Sequence, residues 1–244
     1  MVVARVHRCR ALARALVVLV GVSLVPWGGS LPARADQELA GTPAVAEACG
    51  PASLVSDFAA RDALPQSDTE PGTWYARNWN GGWGPRASTY PRVEAPLGCD
   101  AVEWKRARVL AVARHYLGLP YRHHHIPGWD PSAALTGAAG AGPGLDCSNF
   151  TAWVYNYGLG VRFTSDVHKQ AEGSEAPGRV LGPEEPLAPG DLLFILRGDR
   201  STVSHVAVYA GDGIVVDSHA GSIAERPLAG WYVSHLSHAR RLLE

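Results

Sequence analysis

Two short apolar runs, Ser204 to Ala210 (SHVAVYA) and Ile214 to His219 (IVVDSH), are separated only by Gly211-Asp212-Gly213. Turn residues between two strand-like runs are a strong hairpin signal, and a hairpin commits its strands to antiparallel pairing. A third run, Asp191 to Leu196 (DLLFIL), reads as a strand just upstream. The preceding sequence has a different period. In RARVLAVARHYLGLPY, Val109, Val112, Ala113, Tyr116 and Leu117 follow helical spacing until Gly118 and Pro120 end it. A second helix starts near Asp146 and runs to about Tyr157, with Phe150, Trp153, Val154 and Tyr157 on one buried face. Between them, residues 126–144 read as a Gly/Ala/Pro loop. Gly230 to Arg241 reads as one more strand or a short helix. Helices first and strands after indicate an α+β fold.

The chain is 46% hydrophobic and 18% charged, which suits a folded protein rather than a disordered one. A formal net charge of −1 gives no overall pull toward nucleic acid or an anionic membrane. At the N-terminus, Arg5, Arg8, Arg10 and Arg14 precede the apolar run Leu16 to Val25, and Ala33-Arg34-Ala35 follows it. Residues 1–35 therefore read as an export signal cleaved before Asp36. The alternative is a retained membrane anchor, for which the run is short of the about 20 apolar residues a span needs.

Cleavage removes Cys9 and leaves Cys49, Cys99 and Cys147. Three cysteines outside the cell suggest one pair plus one free thiol. Cys49 and Cys99 flank one segment and are the natural pair, closing a loop of about fifty residues for about 2–4 kcal/mol. Residues 36–100 contain the stretch TWYARNWNGGWGPRASTYPRV, in which Trp74, Trp79 and Trp83 recur without a period. Such aromatics pack on a neighbouring domain or form a shelf for sugar or peptide. This N-terminal segment reads as packing on, or covering, a catalytic domain of residues 101–244.

In GLDCSNFTAWVYNYG, Asp146 can cap the helix, which puts Cys147 in its first turn. Free N–H groups and the positive end of the helix dipole there favour a thiolate and offer donors to an oxyanion. A thiol nucleophile needs a base, and His205 at the start of its strand is the best placed histidine. Ala207, its same-face neighbour, leaves room for a helix end. If Gly211-Asp212-Gly213 is a three-residue loop, Ala210 pairs with Ile214, Ala207 with Asp217 and His205 with His219. Asp217 and His219 then share the face of His205, and either can orient the imidazole. A two-residue loop would slip the register by one and remove that relation.

Asp146-Cys147-Ser148 opening a helix, Pro189-Gly190-Asp191 before a strand, and a His-Val-x-x-Tyr strand followed by Gly-Asp-Gly together resemble the NlpC-type cell-wall peptidases. The resemblance covers roughly residues 105–240. It implies a papain-like fold, with a nucleophile helix packed on an antiparallel sheet, and hydrolysis of amide bonds in peptidoglycan stem peptides by Cys147 and His205. The bond implied is D-γ-glutamyl to diaminopimelate, or to lysine at that position. The family's third polar residue falls on Asp217, with His219 as the alternate. Tyr121 matches the family tyrosine near the nucleophile. Its hydroxyl and the Cys147 N–H would serve the oxyanion, with Ser148 beside the substrate. The family's Pro-Tyr-x-Trp-Gly-Gly is replaced here by Pro120-Tyr121-Arg122-His123-His124-His125, and Asn149 stands where the family has Gly or Leu.

The three consecutive histidines read as lining the approach to the site. Alternate side chains of an extended run face opposite ways, and no ligand-spacing motif supports a metal. No cofactor is expected. Two other readings compete with a secreted or wall-associated peptidase. One is a papain-like amidase or acyltransferase on another substrate; the other is a silent wall-binding module.

Overall fold

The computed structural model describes residues 47–70, 85–123, 126–128 and 142–244. The export signal, Trp74, Trp79, Trp83, His124, His125 and most of the 126–144 loop lie outside the described residues. From Glu47 onward the described residues belong to one compact unit. No helix among them is long and apolar enough to cross a membrane.

In order, the elements are a 3-10 turn at Pro51–Leu54, α1 (Phe58–Asp62), α2 (Ala101–His115), α3 (Cys147–Leu159), α4 (Val167–Ala171), β1 (Arg179–Val180), β2 (Leu192–Leu196), β3 (Val203–Gly211), β4 (Ile214–His219), β5 (Ser222–Pro227), α5 (Trp231–Ser234) and β6 (Leu236–Arg241). The strands form an antiparallel sheet in the order β1-β6-β2-β3-β4-β5. The fold is α+β and papain-like, with the α3 helix packed on the sheet. Gly230 to Arg241 supplies both a short helix and a strand.

α2 begins where Asp100 accepts hydrogen bonds from the Val102 and Glu103 amides, satisfying N–H groups that the helix leaves open. It stops earlier than the apolar spacing predicts. The Tyr116 and Leu117 amides turn back onto Ala113 and Arg114, which tightens the last turn and leaves Leu117 45% exposed. α3 starts at the Asp146 cap and ends at Gly160 in a left-handed conformation (φ 67°). Burial on α3 extends well beyond the predicted face. Nearly every residue from Cys147 to Leu159 is buried, because the sheet covers one side while α2 and the N-terminal segment cover the other.

That N-terminal segment is part of the core. Phe58 and Tyr90 pack in the same cluster as Val109, Trp153 and Tyr157. Two buried arginines cap the far end of α3. Arg61 donates to the Tyr157 carbonyl (2.7 Å) and the Pro91 carbonyl (2.8 Å). Arg108 donates to the Gly158 carbonyl (2.6 Å) and to Asp57 (2.6 Å). Positive charge at a helix C-terminus complements the dipole, and Asp57 pairs both guanidinium groups. A disulfide joins Cys49 to Cys99.

The β3–β4 turn differs from the three-residue loop predicted. Gly211 pairs with Ile214, so the loop is Asp212-Gly213, both with positive φ (50° and 71°) as a type I′ turn requires. By itself this would slip the register. A bulge between Tyr209 and Gly211 takes up the extra residue, Ala210, and the ladder continues as Tyr209↔Val215 and Val208↔Val216. Asp217 and His219 thereby return to the His205 face by a different route. Val206 and Val208 pack toward α3, with Phe150 and Val154. Ala207 lies on the other face, against Tyr232. Its small size makes room for α5, not for the nucleophile helix.

Candidate active site

Cys147 is buried and unpaired. The cap before it is a closed set of hydrogen bonds. Asp146 Oδ1 accepts from the Asn149 amide (2.9 Å) and the Ser148 hydroxyl (3.2 Å), and Oδ2 accepts from Asn149 Nδ2 (2.7 Å). Ser148 and Asn149 therefore help fix the turn that presents the thiol. The thiol meets β3 at the Val206 amide, the peptide that follows His205. That N–H and the Ser148 N–H pull the thiol pKa down. Burial and the Asp146 charge outweigh them and push it up to about 12. The helix-terminus effect predicted from the sequence is present, but enclosure of the sulfur exceeds it. The resting group is a thiol.

His205 is 4% exposed, and its Nε2 lies 2.6 Å from Asp217 Oδ2. Asp217 is wholly buried. Tyr232 OH donates to Oδ2 (2.6 Å), and Arg226 Nη1 donates to Oδ1 (2.5 Å). Burial alone would raise this carboxyl; the bonds from His205 and Tyr232 and the Arg226 charge overcome it and hold the pKa below the ordinary value.

His219 has no such bond to Asp217. Its ring centroid lies 4.9 Å from that of His205, and it stacks on Trp231 at 5.3 Å. Burial, with the nearby His205 and Arg226, lowers its pKa against the opposing pull of Asp217. Trp231 also lies 5.6 Å from His205, so an aromatic wall stands beside the imidazole. Tyr121, on a short bridge to Leu145, is pushed up to about 12 chiefly by burial, with smaller contributions from its neighbours Cys147 and Asp146. It keeps its proton and remains a hydrogen-bond donor. His123 is exposed, with Nδ1 3.5 Å from Asp146 Oδ2.

The donor atoms of His205, Asp217 and His219 lie within 4.8 Å of one another. The donor set suits zinc in kind. Its carboxylate, however, is already neutralised by Arg226 and shared by His205 and Tyr232.

Arg226, Trp231 and Tyr232 are the site residues that sequence reading misses. Each reaches the site through the β5–α5 return, and no local spacing in the chain announces that path.

The NlpC/P60 family model matches residues 128–241. The match covers a little under half of the chain. It spans α3, the whole sheet and every residue of the His205–Asp217 network. Among curated relatives, the chain is 30% identical over 139 residues to a γ-D-glutamyl-L-lysine dipeptidyl-peptidase of Bacillus cereus (strain ATCC 10987 / NRS 248), covering 55% of this chain and 36% of that protein. It is 27% identical over 105 residues to a γ-DL-glutamyl hydrolase of Bacillus subtilis (strain 168), covering 43% of this chain and 21% of that protein. The matches thus span about a fifth to a third of those relatives' own lengths. Solved structures similar to the chain include the peptidoglycan hydrolase RipB of Mycobacterium tuberculosis, with a TM-score of 0.46, 21% identity, and coverage of 87% of this chain and 92% of that one. Another is an NlpC/P60 family protein from Bacillus cereus ATCC 10987, with a TM-score of 0.44, 23% identity, and coverage of 70% and 60%.

Proposed function

We propose that this protein is a secreted cysteine peptidase that hydrolyses amide bonds in peptidoglycan stem peptides. The observation that carries this reading is the buried 2.6 Å contact between His205 Nε2 and Asp217, one peptide away from the free thiol of Cys147 at the head of α3. With Nε2 held by the carboxylate, Nδ1 is the nitrogen left to exchange a proton with the sulfur. Because the resting group is a thiol, His205 removes its proton as the sulfur attacks the carbonyl. The imidazolium formed is stabilised by Asp217 and then protonates the leaving amine. The oxyanion is met by the Cys147 N–H and the Tyr121 hydroxyl. Water, activated by His205, then hydrolyses the thioester and restores the thiol.

Both curated relatives carry glutamyl bonds in their names, which supports a D-γ-glutamyl bond to diaminopimelate or lysine as the target here. Residues 1–35 direct the chain out of the cell, where a Cys49–Cys99 disulfide is stable. Purified full-length mature protein should cleave a synthetic L-Ala-D-γ-Glu-diaminopimelate peptide, or its lysine counterpart, and release a free amine at that residue. Failure on both peptides, with cleavage of an unrelated amide or ester, would move the reading to another papain-like amidase.

A further inference from the structure

A carboxylate with no solvent exposure and only a neutral imidazole beside it would take up a proton readily. Asp217 has two further neighbours: the Tyr232 hydroxyl, which donates to Oδ2 (2.6 Å), and one guanidinium. Arg226 reaches over from β5 with its side chain 20% exposed. Its Nη1 lies 2.5 Å from Asp217 Oδ1 and 3.2 Å from the Asp217 carbonyl. Its Nη2 donates to the His219 carbonyl (2.6 Å) and the Ser222 carbonyl (3.1 Å). One planar guanidinium therefore grips the carboxylate and both ends of the Asp217–His219 segment, a task its rigid fork suits.

We propose that Arg226 is a positioning residue for the His205–Asp217 pair, holding the buried carboxylate ionised and aimed at Nε2 of His205. The proposal rests on the peptidase reading of the same residues. The groups facing Asp217 are His205 from β3, Arg226 from β5, Tyr232 from α5, the Cys147 thiol from α3, and His219 on its own strand. Of these, only Arg226 carries a permanent charge. With His205 neutral, Asp217 and Arg226 sum to zero. Without Arg226, a lone buried negative charge would overstabilise the imidazolium and make it a poorer acid toward the leaving amine. In acid, the same carboxyl would protonate early and release the ring. Arg226 balances His205 between its two proton-transfer roles.

The test is NMR titration of Asp217 and His205 in the full mature chain, which needs no substrate. In the unsubstituted protein, Asp217 should titrate below the ordinary value of about 3.9. In Arg226→Gln, both titrations should move up by roughly one unit. kcat on the stem peptide should fall about tenfold or more with little change in KM. Arg226→Lys, which keeps the charge, should restore most of both titrations. A purely structural arginine would lower Tm without moving either one. Unmoved titrations in Arg226→Gln, or an Asp217 that titrates at or above the ordinary value in the unsubstituted protein, would overturn the proposal; the second measurement needs no variant to fold. A chain that titrates as described yet cleaves no stem peptide would instead refute the peptidase reading alone.

Discussion

At the residue scale, the site separates two tasks by environment. Cys147 is enclosed and protonated, whereas Asp217 is enclosed and charged because donors surround it. Asp217→Asn should keep the fold's shape but lower kcat by roughly 10²-fold or more, since the imidazole loses the acceptor that fixes its tautomer. Steady-state kinetics on the stem peptide reads this directly. The raised Cys147 pKa has its own consequence. Near pH 7.5 the thiol should react with iodoacetamide more slowly than an exposed cysteine with a pKa of about 8.5; a faster rate would indicate a preformed ion pair. The sign for Asp217 runs the other way. Its depressed carboxyl stabilises the native state above the unfolded pKa of about 3.9, and that contribution is lost as pH falls through the folded value. Tm measured against pH should drop on the acid side, and less steeply in Asp217→Asn. Cys147 and His205 stand out in the sequence because a capped helix start and a strand histidine are local patterns. Arg226 and Tyr232 do not, because their partner lies nine and fifteen residues away across turns whose geometry no local pattern encodes.

At the element scale, the β3–β4 hairpin shows how far a pattern can be read. Its strands and the shared face of His205, Asp217 and His219 were legible, but the Asp212-Gly213 turn with a compensating bulge at Ala210 was not. The two alternatives differ by a single residue, and glycines on both sides of Asp212 permit either. β5 escaped notice for another reason: SIAERP lacks the apolar alternation of a half-buried strand and lies at the edge of the sheet. The C-terminal end of α3 makes a sharper prediction. Gly160 has φ 67°, and a Cβ there would come within 2.7 Å of the Pro91 carbonyl. Gly160→Ala should therefore destabilise by about 1–3 kcal/mol, measurable by urea unfolding, without altering the residues around Cys147.

At the scale of the whole molecule, the described part of the N-terminal segment packs on the helix end remote from Cys147. Arg61, Pro91 and Val93 contact Tyr157, Leu159 and Gly160, about 18 Å along the axis from Cys147 at 1.5 Å per residue. A chain beginning at Ala101 would lose Phe58 and Tyr90 from the core and leave Arg108 without Asp57. It should be less stable by roughly 3–6 kcal/mol, as read by denaturant midpoint, rather than more active as it would be if those residues were an inhibitory lid. Reducing the Cys49–Cys99 bond in the intact chain should cost about 2–4 kcal/mol and leave Cys147 chemistry unchanged. The central claim concerns Cys147 as nucleophile toward the cell wall. Its most direct test is digestion of purified peptidoglycan by the mature chain and by Cys147→Ala, with soluble products identified by mass spectrometry. The account predicts fragments ending at D-γ-glutamate from the unsubstituted protein and none from the variant. Equal release by both proteins would contradict it.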